Sequence, residues 1–166
     1  MAYLVGLPLL ALLAMLQSAV FAHLRLLDGR PDLVLLAVIG WGLAGRGTEA
    51  MIWGLCGGLL LDLLSGAPFG ISAISLVLTA YLLSLLEGRL WGMHPLLPPA
   101  AALLGTALLH GLGLASLLLT GRALDLAAAA TRVILPSAFL NVALSLPAAQ
   151  LAGSLRQALF PEKVTL

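Results

Sequence analysis

Apolar residues run through this chain in six nearly continuous stretches, and they go all the way round any helix they would form. A helix of that kind is bathed in lipid or deeply buried. A soluble domain of this length would carry about 25% charged residues. Here 9% of the 166 residues are charged and 61% are hydrophobic, with a mean hydropathy of +1.12. Transmembrane β-strands would instead appear as alternating segments of about ten residues. The sequence therefore predicts an all-α integral membrane protein, a polytopic bundle of six transmembrane helices in a single domain over 1–166.

A spanning helix needs about 20 apolar residues, and breaks fall at Gly, Pro and charge clusters. The expected helices are 3–22, 31–44, 49–64, 71–87, 96–119 and 126–152. Pro31 suits the first turn of the second helix, which is short enough that it would tilt little or thin the bilayer around it. Thr48 is the expected N-cap of the third, with Glu49 in its first turn. "SGAPFG" (65–70) turns the chain, Gly66 suiting a left-handed C-cap and Pro68 stopping the helix. Asp125 is the N-cap candidate for the sixth helix, which Pro136 and Pro147 are expected to kink. The second and third helices, and the third and fourth, are close enough in sequence to pack as hairpins. The start "MAYLVGLPLL" lacks the basic region of a signal peptide, so the first helix is expected to be retained.

Net charge is +1, with no basic stripe of the kind nucleic-acid binding needs. With the N-terminus inside, Arg46, Arg89, Arg156 and Lys163 face Arg25, Arg30, Arg122 and Arg132 across the membrane, so basic residues give no orientation. Trp41, Trp53 and Trp91 fall toward one side, the pattern of an interfacial aromatic belt. Cys56 lies inside an apolar run and reads as a packing residue. There is no H-E-x-x-H zinc helix, no G-x-S-x-G elbow and no P-loop. A serine–histidine dyad of His110 with Ser75, Ser116 or Ser137 has no flanking feature to support it. The sequence points away from an enzyme and implies no metal or cofactor.

Ionisable groups within a membrane normally face the bundle interior and find partners. The candidates are Gln17, Asp62, His110, Arg132 and Asn141. Chain direction alternates between helices, so Gln17, Asp62, His110 and Arg132 fall in one half of the membrane. One reading pairs Asp62 with Arg132 or His110 in a buried site that binds a ligand or moves protons. The other is a structural contact that fixes helix register, in which Asp62 reaches the headgroup region or bonds the backbone amides of the 65–70 turn. Gly54 and Gly58, Gly40 and Ala44, and Ala107 and Gly111 form small-xxx-small pairs, which let helix backbones approach closely, within the chain or against another protein.

Residues 30–82, "RPDLVLLAVIGWGLAGRGTEAMIWGLCGGLLLDLLSGAPFGISAISLVLTAYL", resemble the core of the rod-shape-determining MreD family. The matching elements are Pro31-Asp32, the Gly-rich third helix, "GLLLDLLSGAPFG" (58–70), and a Ser-containing fourth helix ending in Ala80-Tyr81-Leu82. The resemblance implies a small bacterial inner-membrane protein of the elongation machinery, without catalysis of its own. It implies work with MreC, the actin-like MreB, the glycosyltransferase RodA and a class B penicillin-binding transpeptidase in lateral peptidoglycan synthesis. It also implies a fold similar to the substrate-binding subunits of energy-coupling-factor transporters, with both termini cytoplasmic. The Asp62 corner (Asp62, Gly66 and Pro68, with Gly54 and Gly58 on the same helix) would then face the extracytoplasmic side, bracing the bundle or receiving MreC. The alternative is a small-solute transporter or ligand-binding membrane subunit, which would need convergent polar groups around a cavity.

Overall fold

The computed structural model describes residues 2–19, 29–65, 68–85, 95–121 and 124–160. Six helices account for nearly all of them: α1 (Ala2–Ala19), α2 (Leu33–Leu43), α3 (Gly47–Ser65), α4 (Ile71–Leu85), α5 (Leu97–Leu119) and α6 (Leu126–Leu159). Helices α3, α5 and α6 are each long and apolar enough to cross a membrane, while Val5–Ala19, α2 and α4 are shorter apolar helices. The fold is the all-α membrane bundle that the apolar runs predict. Trp91 and Gly66 lie outside the described residues.

Helix α2 is the axis. It packs against all five other helices, and α1, α3, α4, α5 and α6 follow one another around it, adjacent members touching. The ring stays open between α1 and α6, which pack substantially on α2 and not on each other. This explains the shortness of α2. Val34, Leu35, Leu36, Val38, Ile39, Gly40, Trp41 and Gly42 are all buried, so protein rather than lipid surrounds it and its length need not match the bilayer. Its all-round apolarity is that of a core helix.

Close approach is built from glycine on α3. A β-carbon on Gly58 would lie 2.3 Å from Cα of Ala73, and one on Gly54 would lie 3.0 Å from the backbone of Leu76. The α3–α4 hairpin is thus a backbone-to-backbone contact, and both glycines face α4 within the chain. Gly40 likewise meets Ala148 and Ala152 of α6. Ala107 and Gly111 do not follow: both are exposed, and nothing lies within 4 Å of a β-carbon placed on Gly111.

The tryptophans correct the aromatic-belt expectation. Trp41 and Trp53 are 0% and 2% exposed and stack on each other, ring centroids 4.4 Å apart and planes 9° apart. They fill the core at one end of α2. The Trp41 indole N–H donates to Glu49 Oε2 at 3.0 Å, and Glu49 also pairs with Arg46. The Arg46 guanidinium lies 4.1 Å from the ring centroid of Phe160, joining the α2–α3 turn to the end of α6. Helix α6 therefore runs on to Leu159, past the expected 152, because its last turns have a docking site.

Pro136 marks an irregularity near the start of α6, whereas Pro147 lies inside regular α-helix. Residues Ala130–Ile134 form a π-helical turn just before Pro136. Proline has no N–H to offer and its ring collides with the carbonyl four residues back. The wider turn accommodates both, so the break is a π turn, a common form of helix irregularity. Asp125 caps α6 as expected, its side chain accepting from the Ala128 N–H at 3.0 Å.

Gly58→Val should force α3 and α4 apart and destabilise the protein by about 1–3 kcal/mol, the usual cost of overpacking. Gly111→Ala, in open space, should leave the thermal unfolding midpoint in detergent unchanged or slightly raised. A tolerated Gly58→Val would contradict the backbone contact described above.

Candidate functional site

Two buried carboxylates organise the half of the bundle that holds the heads of α2, α4 and α6. Asp62 is 3% exposed near the end of α3. Its Oδ2 accepts from the N–H of Gly70 at 2.8 Å and of Ala73 at 3.4 Å, and its Oδ1 accepts from the N–H of Ser72 at 3.1 Å. These are orphan amides at the start of α4, which no intrahelical carbonyl can satisfy. Asp62 is therefore a helix cap supplied by the preceding helix, and its negative charge meets the positive end of the α4 dipole. Gly70 takes φ +95°, the left-handed conformation that aims its N–H at the carboxylate. Pro68 accepts from the Ile71 N–H at 3.5 Å, completing the turn.

Arg132 and His110 do not meet Asp62. Arg132 is exposed in the π turn of α6. His110 is half-buried, and its Nδ1 lies 3.1 Å from the carbonyl oxygen of Thr106, one turn back on α5. The pairing expectation for Asp62 gives way to backbone capping, because three amides sit within reach of its oxygens.

The second carboxylate is Asp32, 7% exposed at the head of α2. Its Oδ1 accepts from Gln17 Nε2 at 3.1 Å and its Oδ2 from Asn141 Nδ2 at 2.8 Å. Its own N–H donates to Asn141 Oδ1 at 2.8 Å. The Asn141 amide also donates to Thr106 Oγ1 at 2.9 Å. Gln17 Oε1 accepts from the Val34 N–H at 3.2 Å, and Ser137 Oγ accepts from the Arg30 N–H at 3.1 Å. One network thus ties α1, α2, α5 and α6 together. It crosses the seam where α1 and α6 fail to pack on each other.

Asp32 stands where an N-cap would, yet its side chain makes no capping bond. Gln17 caps α2 from α1, as Asp62 caps α4 from α3. Sequence reasoning found Gln17 and Asn141 but treated Asp32 only as the opening of a helix. The missed signal is on α6, where Ser137, Asn141 and Ser145 recur every four residues and are all buried. Such a polar stripe on an apolar helix signals polar partners on the helices it faces, and Asp32 is the one that meets Asn141.

The chemistry available here is hydrogen bonding between helices. Both oxygens of each carboxylate accept bonds from this chain, and among the described residues no group of three His, Cys, Asp or Glu could hold a metal ion. Cys56 is half-buried with a free thiol. The indole N–H of Trp53 is buried without a partner, pressed against Gly6 of α1.

A bundle of apolar helices joined by buried caps and one polar network is the architecture of a polytopic α-helical membrane protein. This chain belongs to the MreD family: the model of rod shape-determining protein MreD matches residues 1–151. Family membership supports a role in determining rod shape. Comparison with curated proteins and with solved structures found no match.

Asn141→Ala should destabilise the protein by about 1–3 kcal/mol, since it strands buried groups at the head of α2 and on α5. Asp62→Ala should cost about 0.5–2 kcal/mol, the usual loss for a cap. Because Asp32 and Asn141 share two bonds, the double variant Asp32→Ala/Asn141→Ala should lose less than the sum of the single losses, whereas Asp62→Ala with Asn141→Ala should be additive. Unfolding of the three single and two double variants in one detergent checks all three statements.

Proposed function

We propose that this protein is a non-enzymatic scaffold of the bacterial cell-elongation machinery, binding MreC in the cytoplasmic membrane with both termini in the cytoplasm. RodA, the class B penicillin-binding transpeptidase and MreB belong to the same complex, and through it the protein helps control lateral peptidoglycan synthesis. The observation that carries this reading is the engagement of both buried carboxylates. Both oxygens of Asp32 and both of Asp62 accept bonds from this chain's own groups. A ligand-binding or transport subunit needs convergent polar groups left over for its cargo. A scaffold needs a rigid shape, and capped helix ends supply one.

In this orientation the Asp62 corner faces the extracytoplasmic side. Its outward residues Leu63, Leu64 and Phe69 are exposed, while Gly54 and Gly58 are covered by α4. MreC meets the corner through that apolar outer surface, held in place by the carboxylate behind it.

The test is purification of the C-terminally tagged protein from its own host after mild solubilisation. MreC with wall-synthesis enzymes should be enriched. Recovery of the protein alone, or with an ATPase module, would overturn the scaffold reading in favour of a small-solute transport subunit. Asp62→Ala should weaken MreC recovery, and unchanged fold and recovery would remove the corner from the interface.

A further inference from the structure

Arg132 breaks the pattern set by the other polar residues in the spanning helices. Charged side chains there normally turn inward and pair. Arg132 turns outward, six residues into α6 and so roughly 9 Å along it. Around it Leu126, Val133, Leu135 and Phe139 are all exposed, a surface that meets acyl chains in a bilayer. An arginine in this setting extends its stem over the apolar surface and brings the guanidinium to the headgroup level.

Arg30 is tethered to the same stretch of α6. It is exposed, and its backbone is fixed on α6 about one turn below Arg132, through the bond from its N–H to Ser137 Oγ. Gly29 beside it lies directly against the backbone of Pro136. Among the described residues neither guanidinium makes a hydrogen bond or an ion pair. The described acids close by are committed elsewhere. Asp32 lies within electrostatic reach of Arg30 but gives both oxygens to Gln17 and Asn141, and Asp125 caps α6.

We propose that Arg30 and Arg132 form a two-arginine rim that holds the phosphate of an anionic phospholipid headgroup. The acyl chains of that lipid lie along Leu135 and Phe139, which share a face of α6. The planar guanidinium matches phosphate geometry, and basic sites between membrane helices suit anionic headgroups. The apolar strip below the arginines selects a lipid over a free phosphate, which has no use for it. The inference is independent of MreC binding, and its failure would leave the scaffold reading untouched.

Native mass spectrometry of the full-length protein, loaded with phosphatidylglycerol or with phosphatidylcholine, tests it. The wild type should retain phosphatidylglycerol preferentially. Arg30→Gln and Arg132→Gln should each weaken that retention about fivefold, and the double variant more, the scale expected for a basic residue near an anionic surface. Arg156→Gln, which removes the same charge near the other end of α6, should change nothing. Arg132→Lys keeps the charge and serves should a glutamine variant fail to fold; it should retain part of the preference. Equal loss in Arg156→Gln, or no loss in the double variant, would overturn the proposal. So would a thermal shift from inorganic phosphate as large as that from phosphatidylglycerol, which would assign a free anion. Loss of a co-purifying acidic protein with lipid retention intact would assign the rim to a protein partner and overturn it equally.

Discussion

Everything in this bundle depends on satisfying the ends of helices where no water reaches them. A helix leaves four N–H groups unpaired at its start, and a membrane interior makes each of them costly. The protein meets the demand from neighbouring helices. Gln17 of α1 serves α2, and Asp62 of α3 serves α4. Each such cap is also a tertiary contact, so the bond that ends one helix fixes the position of another. Without these caps, a central helix of 11 residues surrounded by five others would bury its own unpaired amides.

The two ends of α2 are held by different physics. At its head, bonds donated to Asp32 by Gln17 and Asn141, to Thr106 by Asn141 and to Ser137 by the Arg30 N–H set register among four helices. At its tail, the stacked Trp41 and Trp53 supply bulk, and Glu49, Arg46 and Phe160 close the end. Individual hydrogen bonds between membrane helices are worth about 0.6 kcal/mol on average. The network's value lies in specificity: an apolar helix can slide along another at little cost, but Asn141 can meet Asp32 at only one register. The glycine contacts of α3 add what hydrogen bonds cannot, a separation small enough for backbone atoms to touch.

Much of this was legible beforehand, for reasons that can be traced to particular residues. Continuous apolar runs broken by Gly, Pro and charge announced six helices, and Asp125 announced the start of the last. Asp62 was visible as an anomaly because it interrupts "GLLLDLLSG", and bonding to the amides of the 65–70 turn was one of its two readings. That the bonds run on to Ser72 and Ala73 of α4 was not legible, since amides have no sequence signature. Asp32 hid in plain view because aspartate after proline reads as a local cap. The tryptophans misled for a related reason. Their placement toward one end of the helices is shared by lipid-facing belts and by buried stacks, and only the position of α2 at the centre of the ring distinguishes the two. That centrality is a property of packing order, which no single segment encodes.

The π turn at Ala130–Ile134 divides α6 into two parts with different allegiances. Below it, Ser137, Asn141, Ser145, Ala148 and Ala152 are all keyed to the rest of the bundle. Above it, Leu126 and Ala127 are exposed and Ala128 and Ala129 only half-buried. The wide turn therefore works as a slip joint: the chain between Asp125 and Pro136 can lose or gain a residue by converting between π and α winding while the keyed face below stays in step. Such a joint separates the winding of the first turns of α6 from the register of the keyed face below them.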